Sequence, residues 1–170
     1  MVLIEEVRPD DPRALSLITE LDRLQSALYP AESNHLDSTV ELSLAHVHFL
    51  GAMSDGAMLG CGAVKLMVDA SDGITYGEIK RMFVAPRARG KGIAKGLMTV
   101  LEERAITNGA TLMRLETGIY QPEAIGLYES LDFRRRGPFG TYGPDPVSVF
   151  MEKPLPARAA HGVNQPADRP

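Results

Sequence analysis

The sequence contains no tryptophan and only one cysteine, Cys61, among its 170 residues. A single cysteine excludes an internal disulfide and any zinc site built on paired thiolates. His46 and His48 alternate along a strand-like run and match no metal-ligand spacing, so we expect no metal centre. No apolar run approaches the ~20 residues of a membrane helix, and residues 1–7 lack the order of a secretory signal. We therefore expect a cytoplasmic protein without a membrane partner.

The sequence also has no excess of positively charged residues. The formal net charge is -4 at pH 7, with 44% hydrophobic and 24% charged residues. This balance argues against nucleic acid as the main partner, because binding to a phosphate backbone needs a broad basic surface. The composition and length predict one globular domain over residues 1–156. Residues 157–170 are polar, contain proline and lack periodicity, which predicts a disordered tail.

Apolar periodicity and turn residues predict a mixed α/β fold in which helices pack on a sheet. The predicted strands are Val2 to Val7, Val47 to Met53, Met58 to Val68, Ile74 to Val84, Leu112 to Thr117 and Pro146 to Met151. The predicted helices are Ala14 to Leu28, Val40 to Ala45, Ile93 to Ala105 and Ala124 to Leu131. Ser-Asp-Gly connections at 54–56 and 71–73 favour antiparallel hairpins.

A basic, glycine-rich turn joins a predicted strand to a predicted helix between Arg87 and Gly96. Such a turn suits a phosphate group, because glycine allows close approach and a helix N-terminus presents unpaired N–H groups. The nucleotide-triphosphate loop requires Gly-x4-Gly-Lys followed by Ser or Thr, which is absent from the sequence. A dinucleotide-binding turn should follow the first strand of a βαβ unit, whereas this one follows a meander.

Three motifs together resemble the GNAT superfamily of acetyl-CoA-dependent N-acetyltransferases. The runs Leu115-Glu116-Thr117-Gly118, Gln121-Pro122-Glu123-Ala124 and Pro138-Phe139-Gly140-x-Tyr142 resemble, more narrowly, a small bacterial single-domain subgroup. The hallmark Gln/Arg-x-x-Gly-x-Gly/Ala stands as Arg87 to Gly92 and, overlapping, as Arg89 to Ala94. The preceding strand ends in Met82-Phe83-Val84-Ala85-Pro86, and Ala124-Ile125-x-Leu127-Tyr128 resembles the family's final helix. The resemblance covers nearly all of Val2 to Lys153 and implies a mostly antiparallel sheet of about six to seven strands flanked by about four helices.

The resemblance also implies acetyl-CoA as the cofactor. The amides from Arg89 to Ala94 are expected on the pyrophosphate, with Lys91, Lys95 or Arg87 near the 3'-phosphate. The pantetheine arm would lie between Met82 to Val84 and Leu115 to Thr117, and Gln121 stands where the family often has an asparagine. The expected cofactor-binding residues are Met82, Phe83, Val84, Arg87, Arg89, Gly90, Lys91, Gly92, Ile93, Ala94, Lys95, Gln121 and Tyr128.

Glu78 and Tyr128 are the predicted catalytic pair. By family resemblance Glu78 is the general base and Tyr128 protonates the leaving thiolate, in direct attack by the amine within a ternary complex. Two structural alternatives remain open at this stage. Glu78 would otherwise be a solvated strand carboxylate paired with Lys80 or Arg114, and Tyr128 a core tyrosine with a bonded hydroxyl.

The acceptor side is predicted from the loop after the first helix and from residues beside the cofactor turn. The first two helices border the substrate cleft in the family. Arg81 and Lys80 are placed to receive an acceptor carboxylate, or to serve the cofactor or solvent. The predicted substrate-binding residues are Tyr29, Glu32, Asn34, His35, Arg81 and Glu116.

The function predicted by the resemblance is transfer of an acetyl group from acetyl-CoA to the primary amine of a small molecule. One alternative is a non-catalytic acyl-CoA-binding or regulatory module on the same fold. Another is nucleic-acid binding through Arg81, Arg87, Arg89, Lys91 and Lys95, which the net charge disfavours. The sequence does not identify the acceptor, and a homodimer is the common closed assembly.

Overall fold

The computed structural model describes residues 1–157, so almost all of the predicted tail at 157–170 lies outside the described residues. The described chain forms a seven-stranded sheet in the order β1-β2-β3-β4-β5-β7-β6. All neighbouring strands are antiparallel except β4 and β5, which are parallel. The strands are β1 (Leu3–Glu6), β2 (Val47–Ser54), β3 (Ala57–Val68), β4 (Thr75–Val84), β5 (Leu112–Gly118), β6 (Arg134–Arg136) and β7 (Ser148–Pro154). The predicted fold class is confirmed.

In the described part of the chain four α-helices accompany the sheet: α1 (Pro12–Leu28), α2 (Thr39–Leu42), α3 (Ile93–Thr107) and α4 (Pro122–Ser130). The Asp11 side chain caps α1 by accepting from the Arg13 N–H, and Pro12 occupies its first turn. Helix α2 is shorter than the predicted Val40 to Ala45. Ser38 and Glu41 form a capping box at its start, and Ser43 already caps its end.

The core lies on both faces of the sheet. On one face, α1 packs Leu17, Ile18 and Leu21 with Phe49 and Phe83. On the other face, a larger cluster includes buried residues of α3 and Tyr128 of α4. Within residues 1–157, no helix is long and apolar enough to cross a membrane.

Strands β4 and β5 pair only along the first part of their length. Their parallel register runs from Tyr76 opposite Leu112 to Ile79 opposite Leu115, whereas β4 continues to Val84 and β5 to Gly118. Since β4 continues along β3 and β5 along β7, the two strands diverge and leave an opening in the sheet.

A bulge in β4 stands at the mouth of this opening. Cys61 lies opposite Phe83 and Ala63 opposite Lys80, so Arg81 and Met82 together face Gly62. Arg81 has φ 57°, a left-handed conformation that is unusual for a residue other than glycine. The bulge therefore changes the direction of the β4 side chains where the sheet opens.

Candidate active site

The glycine-rich turn reaches α3 through two left-handed residues. Gly90 has φ 74° and Gly92 has φ 76°. Gly92 is the N-cap of α3 and makes no side-chain capping bond, whereas Asp11 and Ser38 cap α1 and α2 with their side chains. The first amides of α3 are thus left without a capping side chain, at the positive end of the helix dipole. This arrangement suits an anion.

A groove of about 800 Å³ extends from the turn to the opening between β4 and β5. All of the predicted coenzyme contacts line it except Arg87 and Lys91, whose side chains lie elsewhere on the surface. Arg89 donates from Nε to the Val84 carbonyl oxygen at 3.1 Å, and its guanidinium lies 5.9 Å from the centre of the Phe83 ring. Arg89 therefore attaches the turn to the end of β4.

A smaller chamber of about 90 Å³ continues from the groove, and Leu21, Met82, Gln121, Ala124 and Tyr128 line both cavities. Among the predicted substrate-binding residues, Glu32 is exposed and does not line the chamber. The others do: Tyr29, Asn34, His35, Arg81 and Glu116. The chamber lies at the opening in the sheet, with the groove on one side and these residues on the other.

Tyr128 stands at the junction of the groove and the chamber. The residue is buried, and its ring packs against Phe133 with the ring centres 5.8 Å apart. Burial, with a smaller contribution from the charge of Glu116, raises the pKa of the Tyr128 hydroxyl. The hydroxyl is therefore protonated at neutral pH.

Glu116 is the carboxylate that lines the chamber. Its Oε1 accepts a hydrogen bond from the Ser148 hydroxyl at 2.8 Å. Burial raises the pKa of Glu116 above the usual glutamate value, and the hydrogen bond from Ser148 and the charge of Lys80 offset part of this rise. A carboxyl group in this position has the properties of a general base.

The structure places Glu78 on a different cavity. This third cavity of about 750 Å³ adjoins the chamber at Asn34 to Leu36 and at Lys80, and Glu78 lines it. The Tyr142 hydroxyl donates to Glu78 at 2.5 Å, and the Lys80 ammonium lies 3.7 Å away. The sequence-based alternative, a solvated strand carboxylate paired with Lys80, describes the lysine contact, but Glu78 is buried rather than solvated. The base role of Glu78 stays a prediction, with weaker geometric support than Glu116 has.

Gln121 and Tyr29 meet at the entrance to the chamber. The Gln121 carbonyl Oε1 accepts from Gln25 at 3.3 Å and from the Tyr29 hydroxyl at 3.4 Å. The Tyr29 hydroxyl in turn accepts from the Tyr120 N–H at 3.1 Å. These bonds connect the end of α1 with the start of α4, across the opening between the strands.

Sequence reasoning did not identify a buried ionic cluster beside the chamber. Lys80 lies 3.0 Å from Asp37 and donates to the His35 carbonyl oxygen and the Tyr142 hydroxyl. Burial alone would raise the pKa of Asp37, but Lys80 and Lys65 outweigh burial and lower it. Within residues 1–157, no group of three His, Cys, Asp or Glu side chains is arranged to hold a metal ion.

Two partners of the acidic residues also escaped sequence reasoning. Tyr142 is the hydrogen-bond partner of Glu78. In the sequence it belongs to the run Pro138-Phe139-Gly140-x-Tyr142, which resembles the bacterial subgroup but predicts no contact for the tyrosine. Ser148, the partner of Glu116, carries no local signal because the two residues are distant in sequence.

The comparisons with known proteins agree with this geometry. The model of the "Acetyltransferase (GNAT) family" matches residues 18–133. A protein named "IAA acetyltransferase" from Azospirillum brasilense is 47% identical over 154 residues, which cover 91% of this chain and 98% of that protein. A crystal structure from Klebsiella pneumoniae, provisionally described as an acyl-CoA N-acyltransferase, is 36% identical with a TM-score of 0.74. It covers 91% of this chain and 98% of its own.

A more distant structure carries the coenzyme. The phosphinothricin acetyltransferase from Sinorhizobium meliloti, in complex with AcCoA, has a TM-score of 0.67 at 23% identity. The likeness covers 91% of this chain and 88% of that one. At this identity the likeness shows the fold alone. The family model and the Azospirillum relative go further: this chain belongs to the acetyltransferase (GNAT) family and is an N-acetyltransferase.

Proposed function

We propose that the protein transfers the acetyl group of acetyl-CoA to the primary amine of a small molecule, by direct attack within a ternary complex. The observation that carries this proposal is the chamber, which joins the coenzyme groove and holds Glu116 and Tyr128 together. Because the groove and the acceptor side meet at this chamber, both substrates can be bound at once.

The groove fits the coenzyme by the chemistry of its parts. The uncapped start of α3 and the adjacent Lys95 suit phosphate groups. The apolar side chains along the groove, such as Leu24, Phe83 and Leu127, suit the methylene segments of the pantetheine arm. When bound, acetyl-CoA supplies the acetyl group as a thioester.

Glu116 is the proposed general base. Alkylammonium groups have pKa values of about 10, so an acceptor must lose a proton before its nitrogen can attack. The raised pKa of Glu116 makes its carboxylate a stronger base than an exposed glutamate would be. Glu116 takes this proton from the ammonium group, directly or through a water molecule, before the C–N bond forms. The nitrogen loses its second proton to solvent as the amide forms.

Tyr128 is the proposed general acid. The C–S bond breaks as the C–N bond forms, and the sulfur leaves with an electron pair that requires a proton. The Tyr128 hydroxyl is protonated at neutral pH and lies between the two cavities. It gives its proton to the sulfur and regains one from solvent or from protonated Glu116, so the products are an N-acetyl amine and a free thiol.

Steady-state kinetics with acetyl-CoA and a panel of primary amines tests this function, with released thiol as the readout. Direct attack predicts intersecting initial-velocity lines and no acetylated protein when acetyl-CoA is incubated alone. Parallel lines with an isolable acetyl-enzyme would contradict direct attack. Saturable coenzyme binding without turnover across the panel would favour the non-catalytic alternative.

A further inference from the structure

Two buried cations line the acceptor chamber, and their hydrogen bonding differs. The Lys80 ammonium has three N–H donors, and three acceptors lie close to it: Asp37 at 3.0 Å, the His35 carbonyl oxygen at 3.1 Å and the Tyr142 hydroxyl at 3.0 Å. Lys80 is therefore saturated by the protein and holds the chamber wall together.

Arg81 is not saturated. Its side chain is only 4% exposed, and its Nη1 pairs with Asp22 of α1. The buried Nε, by contrast, has no hydrogen-bond partner among residues 1–157. Leaving a buried donor on a charged group without an acceptor is costly, so native proteins rarely retain one without a reason.

Arg114 is buried to the same degree as Arg81, and the hydrogen bonds of the two guanidinium groups can be compared. Its side chain is 3% exposed, and it binds two carboxylates with separate donors: Nη1 bonds Asp69 at 2.6 Å and Nε bonds Glu152 at 2.7 Å. Arg81 uses the same Nη1 position for its first carboxylate, Asp22. At Arg81, however, the described chain supplies no second carboxylate to the Nε.

We infer that Arg81 is a specificity-determining residue which binds a carboxylate of the acceptor through Nε, so that the preferred acceptor is an amine that also carries a carboxylate, such as an amino acid. This inference rests on the proposed function and names its substrate class. The left-handed bulge supports it, because strain in a strand is retained where it directs a side chain into a site. The small chamber, about 90 Å³, requires the amine and the carboxylate to be close together.

The test compares matched acceptors: an α-amino acid, its carboxamide and the amine that lacks the carboxyl group, over several side chains. For the wild-type protein we expect kcat/KM for the acid to exceed that for the carboxamide by about tenfold or more, because the amide brings no charge to Arg81. In Arg81→Gln this ratio should fall to about one, mainly through KM, while the Kd of acetyl-CoA stays unchanged. Arg23→Gln, an exposed arginine of α1, is the matched control and should keep the wild-type ratio.

Each outcome decides a separate point. Equal turnover of acid and carboxamide by the wild-type protein overturns the inference and leaves the proposed function intact, as does a full preference retained by Arg81→Gln. Absence of turnover with every acceptor, while acetyl-CoA binds, overturns the proposed function and the inference with it. If Arg81→Gln does not fold, two measurements test the inference instead: the ratio of kcat/KM for the acid to that for the carboxamide in the wild-type protein, and the same ratio in Arg81→Lys. Lysine keeps the charge but not the two-donor geometry, so the preference should shrink.

Discussion

The hydroxyl of Tyr29 occupies the space that a side chain on Gly118 would need. A Cβ built on Gly118 would lie 1.9 Å from the Tyr29 hydroxyl oxygen. Tyr29 is held there by the Tyr120 N–H, and its ring stacks on the Tyr120 ring with the centres 5.6 Å apart. The last residue of β5 therefore has to be glycine for Tyr29 to close this side of the chamber.

Gly118→Ala should displace Tyr29, destabilise the protein by ~1–3 kcal/mol and lower turnover, because overpacking forces a backbone or side-chain shift. Gly126→Ala is the matched control. Gly126 is exposed in α4, a Cβ added to it would have no atom within 4 Å, and alanine there should be neutral or stabilising. Denaturant unfolding and thiol-release assays measure both effects. A Gly118→Ala protein with wild-type stability would contradict the proposed role of Tyr29.

The elements of the fold were predictable because their signals are local. The apolar periodicity from Ala14 to Leu28 indicated α1, and the Ser-Asp-Gly turns indicated the hairpins, as the structure shows. The glycines at 90 and 92 likewise indicated the turn before α3, and both have positive φ. Each of these features depends on residues that are neighbours in sequence.

The base assignment could not be settled in the same way, because it depends on which cavity the side chain of each strand glutamate lines. Glu78 and Glu116 lie on the adjacent strands β4 and β5, but only Glu116 lines the chamber. The partners that distinguish them, Tyr142 and Ser148, lie 64 and 32 residues away in sequence. Local pattern carries no information about such contacts.

Replacing the left-handed glycines of the cofactor turn should weaken coenzyme binding specifically. Gly90→Ala and Gly92→Ala each place a Cβ at positive φ, which costs about 1–2 kcal/mol, and each adds a methyl group where we propose the pyrophosphate binds. We expect the Kd of acetyl-CoA to rise by about tenfold or more. Isothermal titration calorimetry measures the Kd of acetyl-CoA for each variant.

Gly56→Ala is the control for the strain itself. Gly56 has φ 78°, lies in the turn between β2 and β3, and has open space within 4 Å of the position that a Cβ would take. Its stability loss should match that of Gly90→Ala with no change in coenzyme affinity. Equal effects of the three substitutions on the Kd would remove the turn from the proposed cofactor site.

Tyr128→Phe removes the proposed acid and little else. Turnover should fall by ~10²-fold or more, while the Kd of acetyl-CoA stays near the wild-type value, since the ring still packs against Phe133. Tyr76→Phe is the control, because Tyr76 is also buried but lines the cavity that holds Glu78. If Tyr128→Phe and Tyr76→Phe are equally active, the hydroxyl of Tyr128 has no role in proton transfer.

Glu116→Gln should separate activity from stability. Removing the base should lower turnover by ~10²-fold or more. In the wild-type protein the acid limb of the kcat/KM profile should lie above the ordinary glutamate pKa, because burial raises the pKa of Glu116. Activity is then lost as the pH falls through that raised value, and Glu116→Gln should lack this limb.

The stability effect of Glu116 has the opposite sign from that of a salt-bridged carboxylate. Its pKa is higher in the folded than in the unfolded protein, so folding favours its protonated form. Its contribution to the free energy of unfolding is most favourable below the unfolded pKa and falls as the pH rises through the folded pKa. At neutral pH Glu116→Gln, which keeps an oxygen able to accept from Ser148, should therefore be as stable as the wild-type protein or more so.

Glu78→Gln is the informative comparison, since it weakens the interactions with Tyr142 and Lys80 and should lose stability. If Glu78→Gln instead abolishes the acid limb and Glu116→Gln retains it, the base is Glu78.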